Sequence, residues 1–88
     1  MSTVTRLPTR QEVQEAYADV HKSLRENTTD MSQEQLAEAA GVSREYVSKL
    51  ERALRCPSLV IFICNAIAMN NDPALVLSMV MRRLRGDP

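Results

Sequence analysis

Apolar residues recur along this 88-residue chain at intervals of three and four, the spacing of a helix that buries one face. The residues of the first such run are Val13, Tyr17, Val20 and Leu24. Just before it, Thr9 and Glu12 have the spacing of a capping box. The pattern predicts a first helix from Thr9 to about Asn27, where a polar Asn-Thr-Thr-Asp run favours a turn.

Two short helices are predicted next, with almost no loop between them. The first begins at Ser32, whose spacing to Gln35 fits a second capping box, and it ends at Gly41. The next begins at once with Ser43 as its N-cap, and Pro57 prevents its continuation. The residues predicted to face the core from these two helices are Leu36, Ala37, Ala40, Val47 and Leu50.

Two further helices are predicted in the C-terminal third. Ser58 is the expected N-cap of a fourth helix that extends to about Met69. Asp72 as N-cap and Pro73 at the first helical position begin a fifth helix, which extends to about Arg85. Since no alternating pattern predicts a strand, we expect an all-α protein of five helices.

Length and composition are those of one small domain, covering residues 1–88 with residues 1–8 as a flexible arm. Eleven basic and eleven acidic residues give a formal net charge of zero, so any binding to nucleic acid depends on how charge is distributed. The sequence shows no secretory signal, and its apolar runs are shorter than the roughly 18 residues of a membrane span. We therefore expect a cytoplasmic protein with no membrane partner.

Gly41 explains how the second and third helices can meet so closely. A residue just past a helix end often takes the left-handed conformation, which glycine adopts without a steric clash. Ala37 is small at the point where the two helices approach, and Val42, Val47 and Leu50 anchor the next helix on the core. This spacing is typical of a helix-turn-helix, whose second helix enters the DNA major groove.

Residues 32–59, SQEQLAEAAGVSREYVSKLERALRCPSL, are similar to the helix-turn-helix of the phage repressor and Cro class of bacterial regulators. The matching pattern is Ser-Gln-x-x-Leu-Ala, then Gly-Val-Ser, Val-Ser-x-Leu-Glu-Arg and Pro-Ser-Leu. The resemblance implies a compact lambda-repressor-like domain, with the helix-turn-helix in residues 32–52. It also implies binding to a double-stranded DNA operator.

The resemblance assigns DNA contacts position by position, and the residues concerned are Gln33, Ser43, Arg44, Glu45, Ser48 and Lys49. Tyr46, Arg52 and Arg55 are further candidate phosphate contacts, and the alternative for the two arginines is a solvated charge on a surface helix. Arg44 can bond guanine O6 and N7 together. Glu45 either accepts from a cytosine amino group, orients Arg44, or is a solvated charge. Gln33 either contacts a phosphate, braces a residue of the recognition helix, or is a plain first-turn residue.

An ion pair is also implied by the resemblance, because the class often pairs the glutamate at position 51 with an arginine of the first helix. Arg25 meets Glu51 if the turn after the first helix carries one extra residue. Without that insertion the facing residue is Glu26, which cannot form the pair.

The segment LVIFICNAIAM, residues 59–69, is apolar on every side, and so small a domain cannot cover it and the fifth helix completely. We expect a homodimer through residues 58–85, with interface residues Val60, Cys64, Ile67, Val76 and Val80. The alternative is that these residues only fill the monomer core. Asn65 either bonds across the dimer and fixes its register or caps a helix end.

The leading hypothesis is a dimeric, sequence-specific regulator resembling Cro-like phage proteins, regulators of mobile elements and controllers of restriction-modification systems. It acts on an inverted-repeat operator, and contact with RNA polymerase through Glu34 or Glu38 is an option only for an activator. The alternative is an antitoxin or another protein-binding module, whose apolar C-terminal helices mask a toxin partner.

Catalysis is not expected from this sequence. It lacks a nucleophile-base-acid set, a glycine-rich phosphate loop and a metal-ligand cluster, so we expect no cofactor and no metal. Cys56 and Cys64 are expected to be reduced thiols, and a redox role for Cys64 is disfavoured. His21, the single histidine, is expected on the surface of the first helix.

Overall fold

The computed structural model describes residues 7–86, and these form five α-helices and no strand. The helices are α1 (Arg10–Ser23), α2 (Gln33–Ala40), α3 (Arg44–Glu51), α4 (Leu59–Ala68) and α5 (Pro73–Arg85). This confirms the predicted fold class. Residues 1–6 of the expected flexible arm lie outside the described residues.

Side-chain caps begin all five helices, as the sequence predicts. Thr9 Oγ1 accepts the Glu12 N–H at 3.1 Å while Glu12 Oε1 accepts the Thr9 N–H at 2.8 Å. Ser32 and Gln35 form the same reciprocal pair, at 3.0 and 2.8 Å. The remaining N-caps are Ser43, Ser58 and Asp72. Each cap satisfies a backbone N–H that has no partner within its helix, so helix starts follow from local chemistry.

Helix α1 does not end in a simple turn but continues into a π-helical turn, Leu24–Thr29. Thr29 Oγ1 donates to the Arg25 carbonyl at 2.9 Å, and the N–H of Met31 donates to the same carbonyl at 3.0 Å. Asp30 ends the turn in the left-handed conformation, with φ of 54°. A π turn holds more residues than an α turn, so it accommodates an extra residue between α1 and α2.

One apolar core unites the helices, with α1 packed on α3 and α5, and α2 packed on α3 and α4. The core residues are Ala16, Tyr17, Val20, Leu24, Leu36, Ala37, Val47, Leu50, Ala66, Met69, Val76 and Val80. The prediction that Val76 and Val80 lie at a dimer interface is wrong. Their side chains are 2% and 4% exposed, because this stripe of α5 packs into the monomer core.

Two polar side chains lie in this core. His21 is fully buried, so the expectation of a surface histidine is wrong. It follows Tyr17 by one helical turn and precedes Leu24 by another, which places it on the apolar stripe of α1. Asn65 is also fully buried, and its Nδ2 lies 3.1 Å from His21 Nε2. It therefore neither bonds across a dimer nor caps a helix end.

Helix α4 buries only part of its apolar surface. Asn65 and Ala66 are its buried residues, whereas Val60 is 68% exposed and Ile67 is 62% exposed. Among the described residues no single helix is long and apolar enough to cross a membrane. Helices α4 and α5 together reach that length and composition only as a pair bent by 108°.

Candidate DNA-binding interface

Helices α2 and α3 are joined by a turn built on Gly41, whose φ of 76° is left-handed. A Cβ at this position would contact nothing within 4 Å, so the glycine is needed for its backbone angle and not for space. The N–H groups of Gly41 and Val42 both donate to the Ala37 carbonyl and close the end of α2. The turn gives α3 its direction relative to α2.

Helix α3 has one buried face and one exposed face. Val47 and Leu50 are completely buried, which anchors the helix on the core. Ser43, Arg44 and Glu45 at its start are exposed. The remaining predicted contacts are either half-buried, as are Gln33, Tyr46, Ser48 and Lys49, or exposed, as are Arg52 and Arg55. These residues lie along the helix-turn-helix and the segment that follows it.

Charged side chains on this face are organised in pairs. Lys49 Nζ lies 3.7 Å from Glu45 Oε2, one helical turn away, so Glu45 faces Lys49. Arg52 Nε donates to Ser48 Oγ at 3.3 Å. These contacts tie Lys49 and Arg52 each to a side chain one helical turn earlier.

Arg55 extends the same surface beyond α3. Its guanidinium carbon lies 5.6 Å from the centroid of the Tyr46 ring, within the range of a cation–π contact. Such stacking pre-organises a guanidinium and leaves its N–H groups available to a phosphate.

The end of α3 is also held in place from α1. Gln14, buried on α1, donates from Nε2 to the Ala53 carbonyl at 2.9 Å. Ala53 has a left-handed φ of 59°, and the N–H of Leu54 donates to the Lys49 carbonyl at 2.9 Å. This is the closing pattern of a Schellman turn, with alanine where glycine is common. Sequence reasoning missed this contact of Gln14, because no spacing along the chain relates residue 14 to residue 53.

Glu51 lies at the centre of a buried polar cluster between α1, α2 and α3. Arg25 donates to both of its oxygens at 2.8 Å, from Nε and Nη2. Gln33 Nε2 donates to Oε1 at 3.1 Å, and His21 Nδ1 lies 2.7 Å from Oε2. Burial alone raises the pKa of Glu51, but the hydrogen bonds from His21, Arg25 and Gln33 outweigh it and lower the pKa to about 2.

The structure thus pairs Arg25 with Glu51. From the sequence, this pairing required one extra residue in the turn after the first helix. Arg25 belongs to the π-helical turn, whose wider spacing supplies that residue. Glu26 is nearby, with its Oε2 at 3.4 Å from Arg25 Nη2. Gln33 contacts Glu51 of α3, which is the bracing arrangement among the alternatives for this residue.

Sequestering Glu51 changes the charge balance of a segment that is neutral overall. Residues 32–56 contain four basic side chains, Arg44, Lys49, Arg52 and Arg55, and four acidic ones, Glu34, Glu38, Glu45 and Glu51. Since Glu51 is buried and paired, the exposed part of α3 and its extension carries these four cations against Glu45 alone. The surface is positive where the sequence total is zero.

Other candidate sites are limited. Within residues 7–86, no group of three or more His, Cys, Asp or Glu side chains is placed to hold a metal ion. Cys56 and Cys64 are both exposed and unbonded to one another. Of the predicted dimer residues, Val60, Cys64 and Ile67 lie on the exposed side of α4.

Comparisons with known proteins agree with this geometry. The model of a helix-turn-helix family matches residues 22–63. The restriction-modification controller protein C.AhdI from Aeromonas hydrophila is 32% identical, with 72% of this chain and 94% of that chain covered and a TM-score of 0.67. The clp gene regulator ClgR from Corynebacterium glutamicum is 28% identical, with 82% and 76% covered and a TM-score of 0.76. No curated protein sequence gives a significant match.

Proposed function

Because the chain belongs to the phage repressor and Cro-type family of helix-turn-helix DNA-binding transcriptional regulators, we propose that it binds a two-fold symmetric operator as a homodimer. In this proposal α3 lies in the major groove. Arg44 bonds a guanine, and Glu45 and Lys49 contact the neighbouring bases. Gln33, Arg52 and Arg55 contact phosphates.

The observation that carries this proposal is the two-sided character of α3. Its apolar residues, Val47 and Leu50, are completely buried, while Arg44 and Glu45 at its start and Arg52 and Arg55 after its end are exposed. A short helix that is anchored by its apolar face and presents arginines outward has the shape and charge that the major groove accepts.

The exposed apolar side of α4 supports a homodimer. Val60, Cys64 and Ile67 follow one another at intervals of four and three, so they lie on one stripe. Ile63 and Leu59 are exposed beside it. A two-fold axis through such a stripe pairs it with itself and presents two recognition helices about one DNA turn apart, or roughly 34 Å.

The proposal is tested by selecting bound sites from a random double-stranded DNA library with the purified protein at moderate salt. We expect an enriched inverted repeat whose half-sites lie about one helical turn apart. Folded protein that enriches no motif would contradict sequence-specific binding.

Arg44→Ala, applied to the selected operator, assigns the base contact. The variant should bind the operator more weakly by about 1–3 kcal/mol per half-site and tolerate any base at one position. Arg82→Ala is the matched control, because it removes the same charge from an exposed position on α5. An unchanged base preference in Arg44→Ala, or an equal loss in both variants, would show that Arg44 does not contact a base.

A second candidate function uses the same apolar side of α4 to bind a different protein, as an antitoxin binds a toxin. The size of the exposed stripe supports it, since a partner of any identity would bury these side chains. Purification from the native source distinguishes the two. A co-purifying protein in fixed ratio favours this candidate, and a homodimer free of other proteins favours the operator-binding regulator.

A further inference from the structure

A chain of buried polar side chains joins α4 to the start of α2. It consists of Asn65, His21, Glu51 and Gln33. Asn65 Nδ2 lies 3.1 Å from His21 Nε2, His21 Nδ1 lies 2.7 Å from Glu51 Oε2, and Gln33 Nε2 lies 3.1 Å from Glu51 Oε1. Asn65 and His21 are completely buried, and the side chain of Glu51 is 3% exposed. Gln33, at the far end, is half-buried and is the first residue of α2.

The two bonds of His21 agree on one tautomer. The carboxylate of Glu51 only accepts, so the ring proton lies on Nδ1 and is donated to Oε2. Nε2 is then the accepting nitrogen, and the Asn65 Nδ2 amide donates to it and fixes the orientation of the ring. Asn65 orients His21 in the way that a second residue orients a metal-bound or catalytic histidine.

The next bonds transmit this orientation to Gln33. Glu51 accepts four hydrogen bonds: two from Arg25, one from His21 and one from Gln33. With all its acceptor positions occupied, the carboxylate cannot rotate without breaking several bonds at once. Gln33 Nε2 is then held with one hydrogen on Glu51, and its second hydrogen is available to another acceptor.

An unpaired atom sets this cluster apart from an ordinary core. Asn65 Oδ1 is buried and has no hydrogen-bond partner among the described residues. An apolar residue at position 65 would avoid that cost, so the asparagine needs a reason beyond packing. The bond to His21 provides that reason.

We propose that Asn65 and His21 are positioning residues for DNA binding, which act through Glu51 to hold the Gln33 side-chain amide toward a DNA phosphate. This rests on the proposed function, because Gln33 lies at the DNA-facing end of α2 only if α3 enters the groove. It assigns a task to two buried residues that touch no DNA themselves.

The test is a double-mutant cycle on the selected operator with Asn65→Leu and Gln33→Ala. Asn65→Leu keeps the number and branching of the side-chain heavy atoms but leaves Nε2 of His21 without a donor, so affinity should fall about fivefold. In the Gln33→Ala background the same substitution should change affinity less than twofold. Val80→Ala is the control for lost stability, since Val80 is buried on α5 and makes no bond to the cluster; it should leave affinity within twofold.

A second measurement on the free protein keeps the two proposals separable. Ring nitrogen resonances should show the Nδ1–H form of His21, and Asn65→Leu should shift the His21 Nε2 resonance, which loses its donor, and the Gln33 side-chain amide resonance. Fivefold losses that multiply in the double variant, or a Gln33 resonance unmoved by Asn65→Leu, would overturn the positioning role. Wild-type protein that selects no DNA site would instead overturn the operator-binding function, and the role of Gln33 with it.

Discussion

The carboxylate of Glu51 accepts hydrogen bonds from His21 of α1, Arg25 of the π-helical turn and Gln33 of α2. Its side chain is 3% exposed, so its charge is offset by these donors instead of by water. Hydrogen bonds to Glu51 also raise the pKa of Arg25, which remains charged. Removing either partner leaves the other charge buried and unpaired, which is costly.

Acid should weaken the fold through Glu51. Its pKa is lowered from the ordinary value of 4.5 to about 2, so the ionised pair stabilises the fold above about pH 4.5. That contribution is lost as the pH falls toward 2, and it amounts to roughly 3 kcal/mol at about 1.4 kcal/mol per pKa unit. Urea unfolding of wild type and Glu51→Gln should show a difference near this size at pH 6 that shrinks toward pH 2.5.

Glu45→Gln is the control for that measurement, because Glu45 is a glutamate whose side chain is 77% exposed. Its effect on the free energy of unfolding should be small at every pH. A gap between wild type and Glu51→Gln that stays constant from pH 6 to 2.5 would contradict the assigned pKa.

At the scale of the helices, the recognition helix α3 is delimited by two left-handed residues. Gly41 reverses the chain before it and Ala53 ends it, with φ values of 76° and 59°. Both positions close hydrogen bonds to carbonyls of the preceding helix. The first is a glycine and the second is not, so the two ends differ in strain.

Opposite substitutions at these two residues should have opposite effects on stability. Gly41→Ala should lower the free energy of unfolding by about 1 kcal/mol, because a Cβ is strained at this angle even where space is open. Ala53→Gly should raise it by up to about 1 kcal/mol for the converse reason. Chemical denaturation measures both effects. If Ala53→Gly instead lowers the free energy of unfolding, packing of the Ala53 methyl group stabilises the fold by more than its left-handed backbone angle costs.

At the scale of the whole molecule, the apolar residues of α4 and α5 form two groups, one in the core and one on the outer surface. Val76 and Val80 face inward, and Val60 and Ile67 face outward. A monomer that leaves this much aliphatic surface exposed gains free energy by covering it. The outward stripe, and not the whole of both helices, is therefore the surface on which the proposed dimer depends.

Ile67→Asp should convert the proposed dimer into a monomer at micromolar concentration, since dimerisation would bury an unpaired charge. The side chain is 62% exposed, so the monomer fold should be retained. Sedimentation equilibrium distinguishes a 9.9 kDa chain from a pair of them. Thr28→Asp adds the same charge at an exposed turn and should stay dimeric; an Ile67→Asp protein that also stays dimeric would locate the interface elsewhere.

Local chemistry in the sequence determined where the helices begin, which residues cap them, and that Gly41 separates a helix-turn-helix pair. These features depend on neighbours within a few residues, so spacing along the chain is sufficient to predict them. The same spacing placed Val47 and Leu50 inside and Arg44 outside.

Only the tertiary structure decided which side of the apolar helices faces the core. On α5 the apolar residues Leu75, Val76 and Leu77 are consecutive, so periodicity carries no direction there, and Val76 and Val80 were wrongly predicted at the dimer interface. The pairing of Arg25 with Glu51 depended on a π-helical turn, because helical periodicity along the sequence cannot count the extra residue that such a turn holds. The bond between His21 and Asn65 joins residues 44 positions apart, a distance at which only packing brings side chains together.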